Sequence, residues 1–199
     1  MRSTEDRQSS TAVSEGTREI AERYGRLSTA FAAKIEGVAP DGWGDPTPCD
    51  EWNVRDLVGH VTRMCAVHLS MVGRRLGPGP TVEQDPLAAF KHASDRIADD
   101  LADPVRSQAI FDGRFGRWTF AEAIDRAVCN ELAIHGWDLA RATGQDERID
   151  PSELPKLWAS LKMVGDKAIR NPRVSGPEIP VDPDADEQNK LLSYVGRKV

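Results

Sequence analysis

The stretch from Thr119 to Gly144 constrains the fold more than any other part of the chain. Thr119, followed three residues later by Glu122, makes a capping box, in which hydroxyl and carboxylate each satisfy a backbone N–H at a helix start. Gly144 is the residue type that closes a helix in a left-handed conformation. Between them the chain specifies one helix of about seven turns. On a wheel with Phe120 at zero and about 100° per residue, Ile124, Ala127, Val128, Ile134 and Leu139 form an arc centred at roughly 30°. Glu131 falls at about 20°, His135 at about 60° and Asp138 near 0° on the same wheel. Three ionisable side chains are therefore expected along the middle of the core-facing stripe, with Glu122, Asp125, Arg126 and Cys129 on the exposed side.

Other segments repeat the helical period. Ile20, Tyr24, Leu27, Phe31, Ile35 and Val38 predict a helix over about 16–38. Asn53 is a good N-cap, with Asp56 three residues on, and opens a helix to about Val72, where Gly73, Gly77, Pro78 and Pro80 end it. Leu87, Phe90, Ile97 and Leu101 line one face of a third helix over about 86–102. A further helix follows Pro151 and carries Leu154, Leu157, Trp158, Leu161 and Val164 inward. Ile110 to Trp118 reads as a short extended hairpin, and Pro40 to Trp52 as a loop. Residues 1–14 are polar and aperiodic and read as a disordered tail. Residues 15–170 read as the helical body, and 171–199 as an extension ending in a short helix near Asp186 to Val195. The sum is an all-α domain: a four-helix bundle with an additional C-terminal helix.

The 199 residues suffice for one such core. Net charge is −6, with no dense Lys/Arg cluster, which argues against nucleic acid as a partner. No apolar run of about 18 residues predicts a membrane span, and Met1 to Ser14 lacks an apolar signal core, so a cytoplasmic protein is expected. Cys49, Cys65 and Cys129 are three widely spaced cysteines without a CxxC, so neither a disulfide framework nor a thiolate zinc site is indicated. Cys65 and Cys129 read as small helix residues. Cys49, beside a helix start, has a weak claim to reactivity.

A carboxylate in a core costs several kcal/mol or a large pKa shift unless something compensates it. Glu131 and His135 are four residues apart and reach one point beside their helix. Metal sites inside helical bundles are built this way. The alternative is a Glu–His pair that only hydrogen-bonds. Asp138 suits a partner behind the ligands better than a ligand. A third ligand would come from His60, His68 or His92. His92 neighbours Lys91 and Ser94 and is expected to face solvent. His60 and His68 both lie in the apolar arc of the second helix, about 12 Å apart along its axis. Spacing alone leaves the choice between them open.

The segment Thr47-Pro48-Cys49-Asp50-Glu51-Trp52-Asn53-Val54-Arg55-Asp56-Leu57-Val58-Gly59-His60-Val61 resembles the signature of the mycothiol-dependent maleylpyruvate isomerase N-terminal domain, a member of the DinB-like superfamily of metalloenzymes. Asn130 to Gly144, with Glu131, His135 and Asp138, is similar to its second signature. Leu191 to Arg197 is similar to the close of an actinobacterial metal-binding subfamily of unassigned activity. The resemblance implies a DinB-like bundle in which a His from the second helix joins a Glu-x-x-x-His pair around one divalent ion. Carried over, the ligands are His60, Glu131 and His135, and His68 becomes a core histidine.

The isomerase carries a further C-terminal domain, whereas 55 residues follow Gly144 here (199 − 144). The contacts of that domain have no counterpart, so a reaction other than maleylpyruvate isomerisation is expected. What the resemblance implies is a metal-dependent, thiol-using transferase or isomerase with mycothiol as the candidate thiol. The alternatives are a non-catalytic metal-dependent binding or sensor protein and a metal-dependent hydrolase. Zinc is the expected ion, and Ni²⁺ and non-haem Fe(II) suit the same ligands. Asp138, Arg141 and Arg63 are the candidate polar groups around the centre. The expected partner is a small-molecule substrate, and a homodimer is compatible with the sequence.

Overall fold

The computed structural model describes residues 12–50, 52–113, 116–165, 169–170 and 175–199. Ser14 caps α1 (Glu15–Glu36), accepting from the Thr17 N–H. Asn53 and Asp56 form the capping box that opens α2 (Val54–Met71). Asp85 caps α3 (Pro86–Ala102), which has Pro86 in its first turn. The hairpin follows as β1 (Ile110–Gly113) and β2 (Gly116–Thr119), antiparallel with Phe111 opposite Trp118. Thr119 and Glu122 make the expected capping box on α4 (Phe120–Ala123). A π-helical turn (Ile124–Val128) leads straight into α5 (Cys129–Thr143), which Gly144 ends at φ 67°. Then come α6 (Leu154–Val164) and α7 (Glu187–Tyr194).

Four helices close a ring. α1 packs on α3 and α5, and α2 packs on the same two. Tyr24, Phe31, Ile35, Leu57, Val61, Leu69, Phe90, Ile97, Leu101, Phe120, Ile124 and Leu139 fill its core. Outside the ring, α6 packs against α7 and the π turn. Trp137, Ile149, Leu157, Leu191 and Leu192 form a second apolar cluster there, so residues from both sides of α5 are buried. The only sheet among the described residues is the two-stranded hairpin, and the fold is an all-α bundle of the DinB-like kind. No described helix is long and apolar enough to cross a membrane.

The π turn corrects the helical wheel. It carries one residue more than an α turn, so every later side chain lags by about 100°. Cys129, expected on the exposed side, turns into the core and is fully buried. Ile134, expected inside, is only half-buried. Glu131 leaves the middle of the apolar stripe for its flank, where it keeps 29% exposure. His92, expected in solvent, is half-buried against Gly79, where an added Cβ would lie 2.3 Å from its ring. The disordered-tail expectation falls mostly on residues 1–11, outside the described residues, whereas Ser14 belongs to the cap of α1.

Candidate metal centre

α2 and α5 pack directly on one another and bring His60 against Glu131. The His60 Nε2 lies 2.8 Å from Glu131 Oε2. The His135 Nε2, one turn along α5, lies 3.0 Å from the same oxygen. One donor atom from each residue falls within 4.8 Å of the other two. His68, though on the same helix as His60, is not in this group, and neither is His92.

The arrangement suits a divalent cation. Both Nε2 atoms face one carboxylate oxygen, so each carries a proton here. A cation would replace those protons, held by the imidazole lone pairs and the carboxylate. Burial pulls the Glu131 pKa up, but hydrogen bonds from His135 and His60 outweigh it and hold the carboxyl far below its usual range. Burial pulls the His135 pKa down, while its bonds to Asp138, Cys49 and Glu131 raise it well above the ordinary value. Glu131 is thus ionised and ready to ligate.

Behind His135 stands a buried support. Its Nδ1 donates to Asp138 Oδ2 at 2.8 Å, which leaves Nε2 as the nitrogen that could hold a metal. Burial would raise the Asp138 pKa, but hydrogen bonds from His135 and Arg197 bring it to about 2. Arg197 donates from Nε to Oδ1 at 3.0 Å and from Nη2 to Oδ2 at 2.8 Å. Cys49 donates its thiol to Asp138 Oδ2 at 3.3 Å and accepts from Arg197 Nη2 at 3.2 Å. Trp52 lies over His60 with ring centroids 4.5 Å apart. Thr47 turns the loop back on itself, donating to the Trp52 carbonyl at 2.9 Å, which brings Cys49 and Trp52 to the site.

Of the three candidate polar groups, only Asp138 meets the centre. Arg141 lies six residues beyond His135, about 240° around the helix. It stacks on Trp137 and pairs with Glu147 at 2.7 Å. Arg63 is exposed on α2 and does not line the cavity beside the centre. Arg197 and Trp52 were missing from the sequence expectation. Their signals were an arginine inside the closing motif and an aromatic just before the Asn53 cap.

The centre opens into a cavity of about 1080 Å³, at the upper end of small-molecule sites. Its walls include Met64, Met71, Phe111 and Trp118. His60, Glu131 and His135 all line this cavity.

An all-α bundle with two histidines and a carboxylate converging from two of its helices is the class of protein defined here. The family model of the mycothiol maleylpyruvate isomerase N-terminal domain matches residues 24–140, and the chain belongs to that family. Two uncharacterized proteins of Mycobacterium tuberculosis, from strains CDC 1551 / Oshkosh and ATCC 25618 / H37Rv, are each 32% identical over 178 residues, covering 87% of this chain and 95% of the relative. No solved structure matches the chain.

Proposed function

We propose that this protein is a metal-dependent enzyme that uses a low-molecular-weight thiol, with His60, Glu131 and His135 as the metal ligands. The observation that carries this reading is the convergence of two Nε2 atoms and one carboxylate oxygen at the wall of a large cavity. Three protein ligands leave a coordination position for an exogenous group, the pattern of catalytic rather than structural zinc sites. A divalent ion there acts as a Lewis acid and lowers the pKa of a coordinated thiol or water, supplying a nucleophile at neutral pH. The chain's own contribution is positional. Asp138 orients the His135 ring, Arg197 holds Asp138, and Trp52 covers the His60 ring.

The family description supports a thiol over water, with mycothiol as the thiol and transfer or isomerisation as the reaction class. Zinc is the proposed ion. A sealed centre would have favoured a binding or sensor protein, and the cavity favours catalysis.

The test is metal content and thiol turnover on the same preparations. Purified protein is expected to hold about one zinc per chain and to accelerate consumption of mycothiol by an electrophilic acceptor. Glu131→Gln and His135→Ala should lose both metal and acceleration. Folded wild-type protein that takes up no divalent metal would overturn the reading.

A further inference from the structure

His68 is the buried polar residue of the cavity that the metal centre does not use. α2 presents His60, Met64, His68 and Met71 to the cavity at spacings of four, four and three, one helix face. His68 is 5% exposed. Its Nδ1 lies 2.9 Å from the Met64 carbonyl oxygen. A carbonyl only accepts, so Nδ1 carries the ring proton and Nε2 carries the lone pair. Burial pushes the His68 pKa below its ordinary value, which keeps the ring neutral. Among the described residues, none donates a hydrogen bond to Nε2.

Nε2 is not itself sealed in the core, so its lone pair can accept a hydrogen bond from a ligand at the cavity wall. The two histidines are eight residues apart, about 12 Å along the helix. Met64 lies between them, with Met71, Phe111 and Trp118 also in the wall. Those four apolar side chains suit a neutral donor, which loses less on leaving water than an ammonium does.

We infer that the cavity binds an elongated thiol whose sulfur lies at the His60–Glu131–His135 centre and whose far end donates a neutral hydroxyl or amide hydrogen bond to His68 Nε2. The apolar wall takes the stretch between. His68 thereby selects for length and for a polar terminus. This inference rests on the thiol-dependent reading above.

The test uses full-length protein loaded with Co²⁺, whose thiolate charge-transfer band reports sulfur at the metal. The probes are ω-hydroxyalkanethiols of graded chain length and the alkanethiols of the same lengths. At the length that spans the two sites, the hydroxyl form should bind roughly five- to tenfold tighter than its methyl-terminated partner, the gain of about one hydrogen bond. His68→Leu should abolish that preference by weakening only the hydroxyl form. His68→Gln, whose amide oxygen accepts, should retain part of it. A wild-type protein without the preference, or a His68→Leu protein that keeps it, overturns the inference. If Co²⁺ binds but no thiol alters its spectrum, the thiol reading fails instead. The ¹⁵N shift of His68 Nε2 in the zinc protein then decides the subsite: hydroxyl probes move it if the subsite exists, and an unmoved shift rejects the subsite.

Discussion

Arg197, two residues from the last, grips Asp138 through two parallel hydrogen bonds of 3.0 and 2.8 Å, fork to fork. Asp138 is fully buried and in turn holds His135. The closing segment of the chain is therefore joined to the candidate metal centre through one carboxylate. Bidentate Arg–carboxylate geometry is directional as well as strong, and a lysine would not reproduce it.

Arg197→Met should leave buried Asp138 without its guanidinium partner and with only His135 opposite it. Breaking a buried pair from one side typically costs about 3–5 kcal/mol. A freer Asp138 also orients His135 less well, so metal affinity should fall by roughly 10–100-fold. Urea unfolding and competition with a chelator measure the two effects. Full stability together with unchanged metal retention would show that the Arg197 clamp has no role.

His60→Ala should lose the metal and keep a cooperative helical melt. The bundle core is large, and the three ligands come from only two helices, so the ion joins α2 to α5 and does not gather the whole fold. Glu131 would lose its His60 partner, and a stability loss on the order of 1–3 kcal/mol is expected. Circular dichroism and metal content on one preparation check this. An unfolded variant would assign the site a structural role.

The sequence carried the helices because their ends are chemically marked. Thr119 with Glu122, Asn53 with Asp56, and Gly144 all act as their residue types predict. It carried the Glu131–His135 pair because a spacing of four survives wherever the helix is rotated. The rotation itself was not legible. The π turn at Ile124–Val128 has no residue signature that the wheel could register, and it moved Cys129 inward and Ile134 outward. Nor was the Arg197–Asp138 clamp, whose partners are 59 positions apart. Local periodicity says nothing about which distant carboxylate will receive a terminal arginine. Arg141 and Arg63 share helices with the candidate ligands, but helical geometry carries both away from the centre.

The three cysteines should separate cleanly by reactivity. Burial pushes the Cys65 and Cys129 thiols up to about 12. At pH 8 only on the order of one in ten thousand of such groups is thiolate, and both are also shielded from reagent. Ellman's reagent should therefore modify Cys49 alone in the native protein and all three cysteines in denaturant. The same shifts set an alkaline limit. Between the ordinary thiol value of 9.0 and about 12 the folded state holds protons that the unfolded state has released, so stability falls as pH rises through that window. Urea melts at rising pH check the sign, and Cys65→Ala/Cys129→Ala should flatten the decline.

The largest single-residue loss away from the cavity should come from Arg23. Its side chain is 1% exposed and donates from Nε to Glu153, itself 2% exposed, at 2.6 Å. Nη1 donates to the Asp125 carboxylate at 2.8 Å and also to the Asp125 carbonyl. One guanidinium thus ties α1 to the π turn and to the residue before α6. Arg23→Met leaves buried Glu153 with only the exposed Arg26, 3.9 Å away, as a counter-charge, and about 3–5 kcal/mol should be lost. Much of that loss is the penalty on the orphaned carboxylate rather than the worth of the pair. Arg23→Met combined with Glu153→Leu should then be more stable than Arg23→Met alone, because the second change removes the stranded charge. A double-mutant cycle in urea measures this directly. Additive losses would mean that the two charges act independently, against the 2.6 Å contact between them. Metal content should remain at the wild-type value in all three variants, since neither Arg23 nor Glu153 lines the cavity.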